Sequence, residues 1–147
     1  MLVAIDEERL KHTTAELQKI KLRVPSKYLV SLGIPGAPAY MTEILSRLPT
    51  ASIVHLACHG VQDPSNPLNS RLILKDTDRL TVSELIKLSM PKARLIFLSA
   101  CQTAMGDEDL PDESLHLAAT MLFTGFHGAI ATMWCVLVVC RVQPIVK

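Results

Sequence analysis

The apolar and polar positions of the chain alternate between two kinds of pattern. Short apolar runs bounded by turn residues, typical of strands buried on both faces, lie at 53–57, 94–100 and 129–134. Apolar residues at spacings of three and four, typical of helices with one buried face, lie at 6–20, 41–48, 81–90 and 115–122. Strands that alternate with helices favour right-handed crossovers. The pattern therefore predicts an α/β fold with a mainly parallel sheet flanked by helices.

Capping signals and turn residues refine these elements. Thr81 and Glu84 have the spacing of a capping box, in which each side chain bonds the other residue's backbone N–H, so a helix is predicted to begin at Thr81. Thr13 and Glu16 have the same form, which predicts a polar surface helix. Prolines and glycines crowd 26–39 and predict a strand or two joined by turns.

The pattern divides the chain into three segments. Residues 1–40 form an N-terminal helix and a Pro/Gly-rich connecting segment, 41–134 form the α/β portion, and 135–147 form an atypical apolar tail. A chain of 147 residues is about the size of one ordinary domain. We expect a single core.

Composition agrees with this fold and limits the classes of partner that we expect. Hydrophobic residues make up 49% of the chain and aromatic residues only 4%, so aliphatic side chains must supply the core, as in parallel sheets. Lys and Arg number 15 against 14 for Asp and Glu, a net charge of +1. Because so small a charge creates no global field, we expect neither nucleic acid nor an anionic membrane as a partner.

The apolar segments also bear on location. Acidic residues at 6–8 interrupt the N-terminal region before an apolar stretch of signal length develops, which predicts a cytoplasmic protein. The longest apolar run, 129–140, is shorter than the roughly 20 residues that span a bilayer. We therefore predict no transmembrane helix.

Two reactive side chains follow predicted strands. His59 lies just beyond the strand at 53–57, and Cys101 lies where the strand at 94–100 stops. In open α/β sheets, reactive groups gather beyond the carboxyl ends of the strands. If these strands are neighbours, their backbones lie about 4.8 Å apart, and an imidazole and a thiol at their ends come within reach of each other.

A Cys–His pair is sufficient for acyl transfer. An imidazole favours the reactive thiolate and later returns a proton to the leaving amine. The tetrahedral intermediate also needs hydrogen-bond donors for its oxyanion. Gly60 follows His59 without a Cβ to block close approach, so its backbone N–H is one candidate donor, and that of Cys101 is a second.

Other interpretations of these residues stay open. Free cysteines are often small buried hydrophobes, so Cys101 has a purely structural alternative. His55, Cys58 and His59 suggest a zinc or thiol-redox site, but on a strand Cys58 points away from both histidines. We expect no metal and no cofactor. The acidic run at 107–112 is more typical of a solvated loop than of a pocket for a basic side chain.

Four segments, in this order, resemble the CHAT domain, a caspase- and separase-related cysteine-peptidase family often fused to tetratricopeptide repeats. They are HLACHG at 55–60, LSACQT at 98–103, Glu113 before an alanine-rich helix, and ATMW at 131–134. The resemblance runs from about Ile44 to Trp134 and implies a caspase-like fold. It also implies a catalytic dyad of His59 and Cys101, an oxyanion hole that includes Gly60, a protein or peptide substrate, and a repeat protein as a partner.

The chain departs from the family pattern in three places. Gln102 stands where the family usually has glutamate, and the tail at 135–140 replaces an acidic stretch and a further helix. CHAT domains also usually carry more sequence before the histidine, including early strands of the sheet. We therefore expect an incomplete sheet that contains only the C-terminal portion of the domain. The alternative to a peptidase is a catalytically inactive CHAT fragment that serves as a protein interaction or signalling module.

Overall fold

The computed structural model of the chain describes residues 1–6, 10, 13–61, 63, 65–75, 79–99, 114–133 and 136–141. Its strands are β1 (Leu2–Ile5), β2 (Val30–Leu32), β3 (Ile53–Ala57), β4 (His59–Val61), β5 (Arg71–Ile73), β6 (Arg79–Thr81), β7 (Leu95–Leu98), β8 (Gly128–Met133) and β9 (Val136–Arg141). Its helices are α1 (Thr13–Lys21), α2 (Met41–Arg47), α3 (Val82–Leu85) and α4 (Ser114–Phe123).

Six strands form the main sheet in the order β2-β1-β3-β7-β8-β9. The first five are parallel to their neighbours, and β9 runs antiparallel to β8. The prediction of an α/β fold with a mainly parallel sheet and flanking helices is confirmed, and the arrangement is consistent with a caspase-like architecture.

Apolar side chains cover both faces of this sheet. Alternate residues of β1 and β3, such as Leu2 and Leu56, lie in the larger core cluster with residues of α2, α3 and α4. The intervening residues, such as Val3 and Ala57, lie in a smaller cluster with Leu17 of α1. Burial on both faces explains why the central strands are nearly continuous apolar runs.

A second, three-stranded antiparallel sheet of order β4-β5-β6 follows β3. Leu72 and Leu80 from its two later strands are fully buried in the larger core cluster. The small sheet is thereby packed against the body of the domain, and α3 follows it directly.

The local predictions succeed where the chain carries a clear period or cap. The helix at Met41–Arg47 and the strands at 53–57, 95–98 and 128–133 are confirmed. At Thr81, which is the N-cap of α3, both hydrogen bonds of the capping box are present. No helix in the described part of the chain has the length and apolarity needed to cross a membrane.

Several features differ from the sequence-based expectation. The helix predicted over 81–90 spans only Val82–Leu85, and the helix predicted over 6–20 begins at Thr13. Residues 2–5 form a strand, β1, which lies between β2 and β3 although its apolar run is only four residues long. The Thr13 hydroxyl donates to the carbonyl of Leu10 instead of capping a helix, because Thr13 is itself the first residue of α1. Part of the apolar tail, Val136–Arg141, pairs with β8 as β9. The three-segment division of the chain stays a prediction.

The turn after β2 requires glycine. Gly33 has a φ of 85°, and a Cβ built there would overlap with the carbonyl oxygen of Ile5 at the end of β1. Gly36, in the same turn, has a φ of 81° but no atom within 4 Å of an added Cβ. Both glycines adopt a backbone conformation that is strained for residues with a side chain. At Gly33 an added Cβ would also clash with a neighbouring backbone atom.

We predict that Gly33→Ala destabilises the domain more than Gly36→Ala does. Both variants carry the cost of a left-handed conformation, about 1–2 kcal/mol. Gly33→Ala adds the cost of pushing β2 away from β1, about 1–3 kcal/mol by comparison with overpacked sites. Urea unfolding of both variants measures the difference, and equal midpoints would contradict the steric argument.

We also predict that Thr81→Ala lowers the free energy of unfolding by about 1 kcal/mol, the usual effect of losing an N-cap side chain. Thr81→Ser keeps an oxygen that can accept from the backbone N–H of Glu84, so it should retain most of the stability. Denaturant unfolding of the two variants tests this. A serine variant as unstable as the alanine variant would show that the hydroxyl is not the source of the stability.

Candidate active site at the carboxyl edge of the sheet

The strands that lead to His59 and Cys101 are direct neighbours. β3 and β7 pair in parallel, with Ile53 opposite Leu95 and Leu56 opposite Leu98. The pairing continues past the end of β7, because the backbone N–H of Ser99 donates to the carbonyl of Leu56 at 2.9 Å. The condition that the sequence left open, adjacency of the two strands, is therefore met.

His59 is held by a second set of strand contacts. β3 ends at Ala57, and after one residue the chain enters β4, in which His59 lies opposite Ile73 and Gly60 lies opposite Leu72. His59 is half-buried and Gly60 is buried. The sequence predicts only that His59 and Gly60 lie just beyond the strand at 53–57, whereas the structure places both residues in a new strand that restrains their backbone.

Several residues of the predicted site lie outside the described residues. They are Cys101, Gln102, the acidic run at 107–112, Glu113 and Trp134. The last described residue on the β7 side is Ser99, two positions before Cys101. The structure thus describes the histidine half of the site and the strand that leads to the cysteine half.

His55 and Cys58 lie on opposite faces of the sheet, as the alternation along β3 predicts. Cys58 is buried in the larger core cluster. His55 is 9% exposed, and a hydrogen bond of 3.0 Å joins its Nε2 to Oε2 of Glu16 in α1. Its ring also lies 6.1 Å from that of Phe97 on β7. His55 thereby connects β3 to α1.

This separation does not favour a zinc site made of His55, Cys58 and His59. A tetrahedral site needs its ligands to converge on one point. Among the described residues, no group of three or more His, Cys, Asp and Glu side chains is placed to hold a metal ion.

A cavity of about 430 Å³ opens at the same edge of the sheet, where β1 and β2 end. Its lining includes Ile5, Asp6, Gly33, Tyr40 and Lys75. Asp6 is 7% exposed, and its backbone N–H donates to the carbonyl of Ala57 at 2.8 Å. One lining residue of the cavity is therefore bonded to the end of the strand that leads to His59. The sequence pattern did not predict this cavity, although an apolar run followed by Asp6 is compatible with the end of a strand.

The chain was compared with known proteins and with models of protein families. A search of curated proteins found no match. The family model described as CHAT domain matches residues 4–141, a span that begins within β1 and also includes α1 and β2. Since this match covers most of the 147 residues, and the HLACHG and LSACQT segments lie within it, the chain belongs to the CHAT domain family.

Proposed function

We propose that this chain is a cysteine endopeptidase of the CHAT type that cleaves protein or peptide substrates. In this proposal Cys101 is the nucleophile, His59 is the general acid and base, and the backbone N–H groups of Gly60 and Cys101 stabilise the oxyanion. Membership of a caspase-related family supports the reaction class. The parallel pairing of β3 with β7 is the observation that carries the assignment of residues.

The pairing of β3 with β7 limits the distance between the segments that follow these strands. β3 ends at Ala57, two residues before His59, and β7 ends at Leu98, three residues before Cys101. Paired strands lie about 4.8 Å apart, and each further residue extends the chain by at most about 3.6 Å. Both segments therefore leave the same edge of the sheet within a short distance of each other. Such starting positions leave a thiol and an imidazole enough reach to meet, which supports the proposed dyad of Cys101 and His59.

The proposed reaction follows from the chemistry of the pair. The imidazole of His59 accepts the thiol proton, and the Cys101 sulfur attacks the scissile carbonyl carbon to form a tetrahedral oxyanion. As the C–N bond breaks, His59 gives the proton to the leaving amine, and a thioester remains on Cys101. His59 then deprotonates a water molecule that attacks the thioester, which releases the acid product and regenerates the thiol.

His127 offers a matched control for His59. It is exposed and directly precedes β8, so it lies at the opposite, amino edge of the sheet. It lines a shallow groove with Ser52, which directly precedes β3. Replacing His127 removes an imidazole of the same type without touching the proposed site.

We predict that an electrophilic peptide probe labels Cys101 rapidly near neutral pH and that His59→Ala slows this labelling by at least about 100-fold, the usual lower range for a lost general base. His127→Ala should label at the wild-type rate. Cys101→Ala should lose the fast phase, because the substitution removes the proposed nucleophile. Mass spectrometry of the labelled peptides over a range of pH measures each rate.

Slow labelling shared among all the cysteines, with the same rate in His59→Ala, would contradict the peptidase assignment. That outcome would favour the alternative, a catalytically inactive CHAT domain that serves as a protein interaction or signalling module. A pull-down with tetratricopeptide-repeat proteins is then the next experiment.

We further predict that the wild-type protein cleaves members of a mixed peptide library and that Cys101→Ala cleaves none while unfolding at the same urea concentration. The sulfur is the only atom group removed, so loss of cleavage with unchanged stability assigns the nucleophile. Cleavage by the alanine variant at the wild-type rate would contradict the assignment of Cys101 as the nucleophile.

A further inference from the structure

The small sheet that carries His59 has two different faces. Each of its three strands has a buried central residue, namely Gly60, Leu72 and Leu80, and these are mutually paired. Because successive side chains of a strand point to opposite faces, the flanking residues share the other face. We call this second face the open face; Arg79 on it is exposed and its other residues are half-buried, namely His59, Val61, Arg71, Ile73 and Thr81.

Strand register places two arginines near His59 on the open face. His59, Ile73 and Arg79 form one row across the three strands, and Val61, Arg71 and Thr81 form the next row. Arg79 is therefore two strands away from His59, about 10 Å along the row. Arg71 is diagonal to His59, about 7–8 Å between their backbones.

The guanidinium groups retain hydrogen-bonding capacity. Nε of Arg71 is buried and has no hydrogen-bond partner in the described part of the chain, and its Nη1 makes only a long contact of 3.4 Å with the carbonyl of Asn69. Arg79 is exposed. An arginine presents five donors in a fork that matches a carboxylate. The two side chains thus offer donors for which the open face supplies no matching acceptor among the residues that the structure describes.

The described acidic residues nearest to this face are already engaged. Oε2 of Glu84 accepts from the backbone N–H of Thr81 at 2.8 Å and from its hydroxyl at 2.7 Å. Oδ1 of Asp63 accepts from the backbone N–H groups of Ser65 and Asn66. Among the described residues, the open face therefore carries two arginines with no unengaged carboxylate, although the whole chain has a net charge of only +1. Asp76 and Asp78, between β5 and β6, lie outside the described residues.

We propose that the open face binds an acidic segment of the peptide substrate, so that a glutamate or aspartate carboxylate pairs with Arg71 and Arg79 while the scissile bond lies at His59. The inference rests on the proposed function for the position of the scissile bond. A strand advances about 3.3 Å per residue, so spans of 7–10 Å place the carboxylate roughly two or three residues from the cleaved bond. The substrate class is then an extended peptide with acidic residues close to the cleavage site.

The test uses binding, which does not depend on turnover. Cys101→Ala protein is titrated against a fluorescein-labelled peptide rich in glutamate and against the same peptide with glutamine in place of each glutamate. Fluorescence anisotropy should show tighter binding of the acidic peptide, and added salt should remove most of the difference. Equal affinities for the two peptides would overturn the inference.

Variants locate the binding to the open face. Arg79→Gln and Arg71→Gln should each weaken binding of the acidic peptide about tenfold, the scale of one lost charge-assisted hydrogen bond. Arg23→Gln is the control, because Arg23 is exposed and follows α1, so the same charge is removed elsewhere. An equal loss in Arg23→Gln and Arg79→Gln would overturn the inference, since it would mean non-specific attraction.

Two further readouts keep the outcomes distinct. Arg79 is exposed, so Arg79→Gln should leave the urea midpoint unchanged and remain informative even if Arg71→Gln unfolds. Tighter binding of a labelled single-stranded oligonucleotide than of the acidic peptide would overturn the inference in favour of a phosphate partner.

Failed cleavage with intact, arginine-dependent peptide binding would contradict the proposed function alone. Cleavage without any preference for acidic peptides would contradict this inference alone.

Discussion

The structure depends on the pairing of β3 with β1 on one side and β7 on the other. Backbone hydrogen bonds at the end of β3 join three distant segments, because Ala57 accepts from Asp6 and Leu56 accepts from Ser99. The carboxyl ends of three parallel strands are thereby held at one edge of the sheet. The cavity beside Asp6 lies at this edge. The chain segments that lead to His59 and Cys101 also leave the sheet there.

A strand buried on both faces must satisfy any polar side chain that it carries, since an unpaired buried polar group costs free energy. His55 on β3 meets this requirement through its hydrogen bond to Glu16. Glu16 is 42% exposed, so the carboxylate keeps part of its hydration while it binds the ring. The contact joins α1 to the central strand, and Leu17 adds apolar burial beside it. The motif histidine four residues before His59 thus has a structural role.

The small antiparallel sheet links the proposed chemistry to the proposed specificity. It begins at His59 immediately after the central strand, and its buried leucines fix it on the main core. The same backbone that restrains His59 also sets the positions of Arg71 and Arg79 through strand register. A peptide that lies along the open face would meet the proposed general base and the two arginines on one sheet. Because His59, Arg71 and Arg79 belong to the same small sheet, the proposed catalytic and recognition groups are positioned by the same backbone hydrogen bonds.

The sequence by itself determined the features that depend on neighbouring residues. The α/β class, α2, the strand at 53–57 and the cap at Thr81 follow from local periodicity and capping chemistry, which act over a few residues. The placement of His59 and Cys101 after strands came from the same local signals. The family resemblance came from four short segments whose order along the chain is specific.

Only the tertiary structure decided the features that depend on contacts between distant residues. β1 is a run of four residues, too short to show a period, and its central place comes from pairing with β2 and β3. Glu16 bonds His55, 39 residues away, instead of completing a local capping box. The open face also depends on distant contacts. The register of the three-residue strands β4, β5 and β6 places Arg71 and Arg79 on the same face as His59. Periodicity describes one segment at a time, whereas hydrogen-bonded register relates segments to each other, and the candidate site is built from such relations.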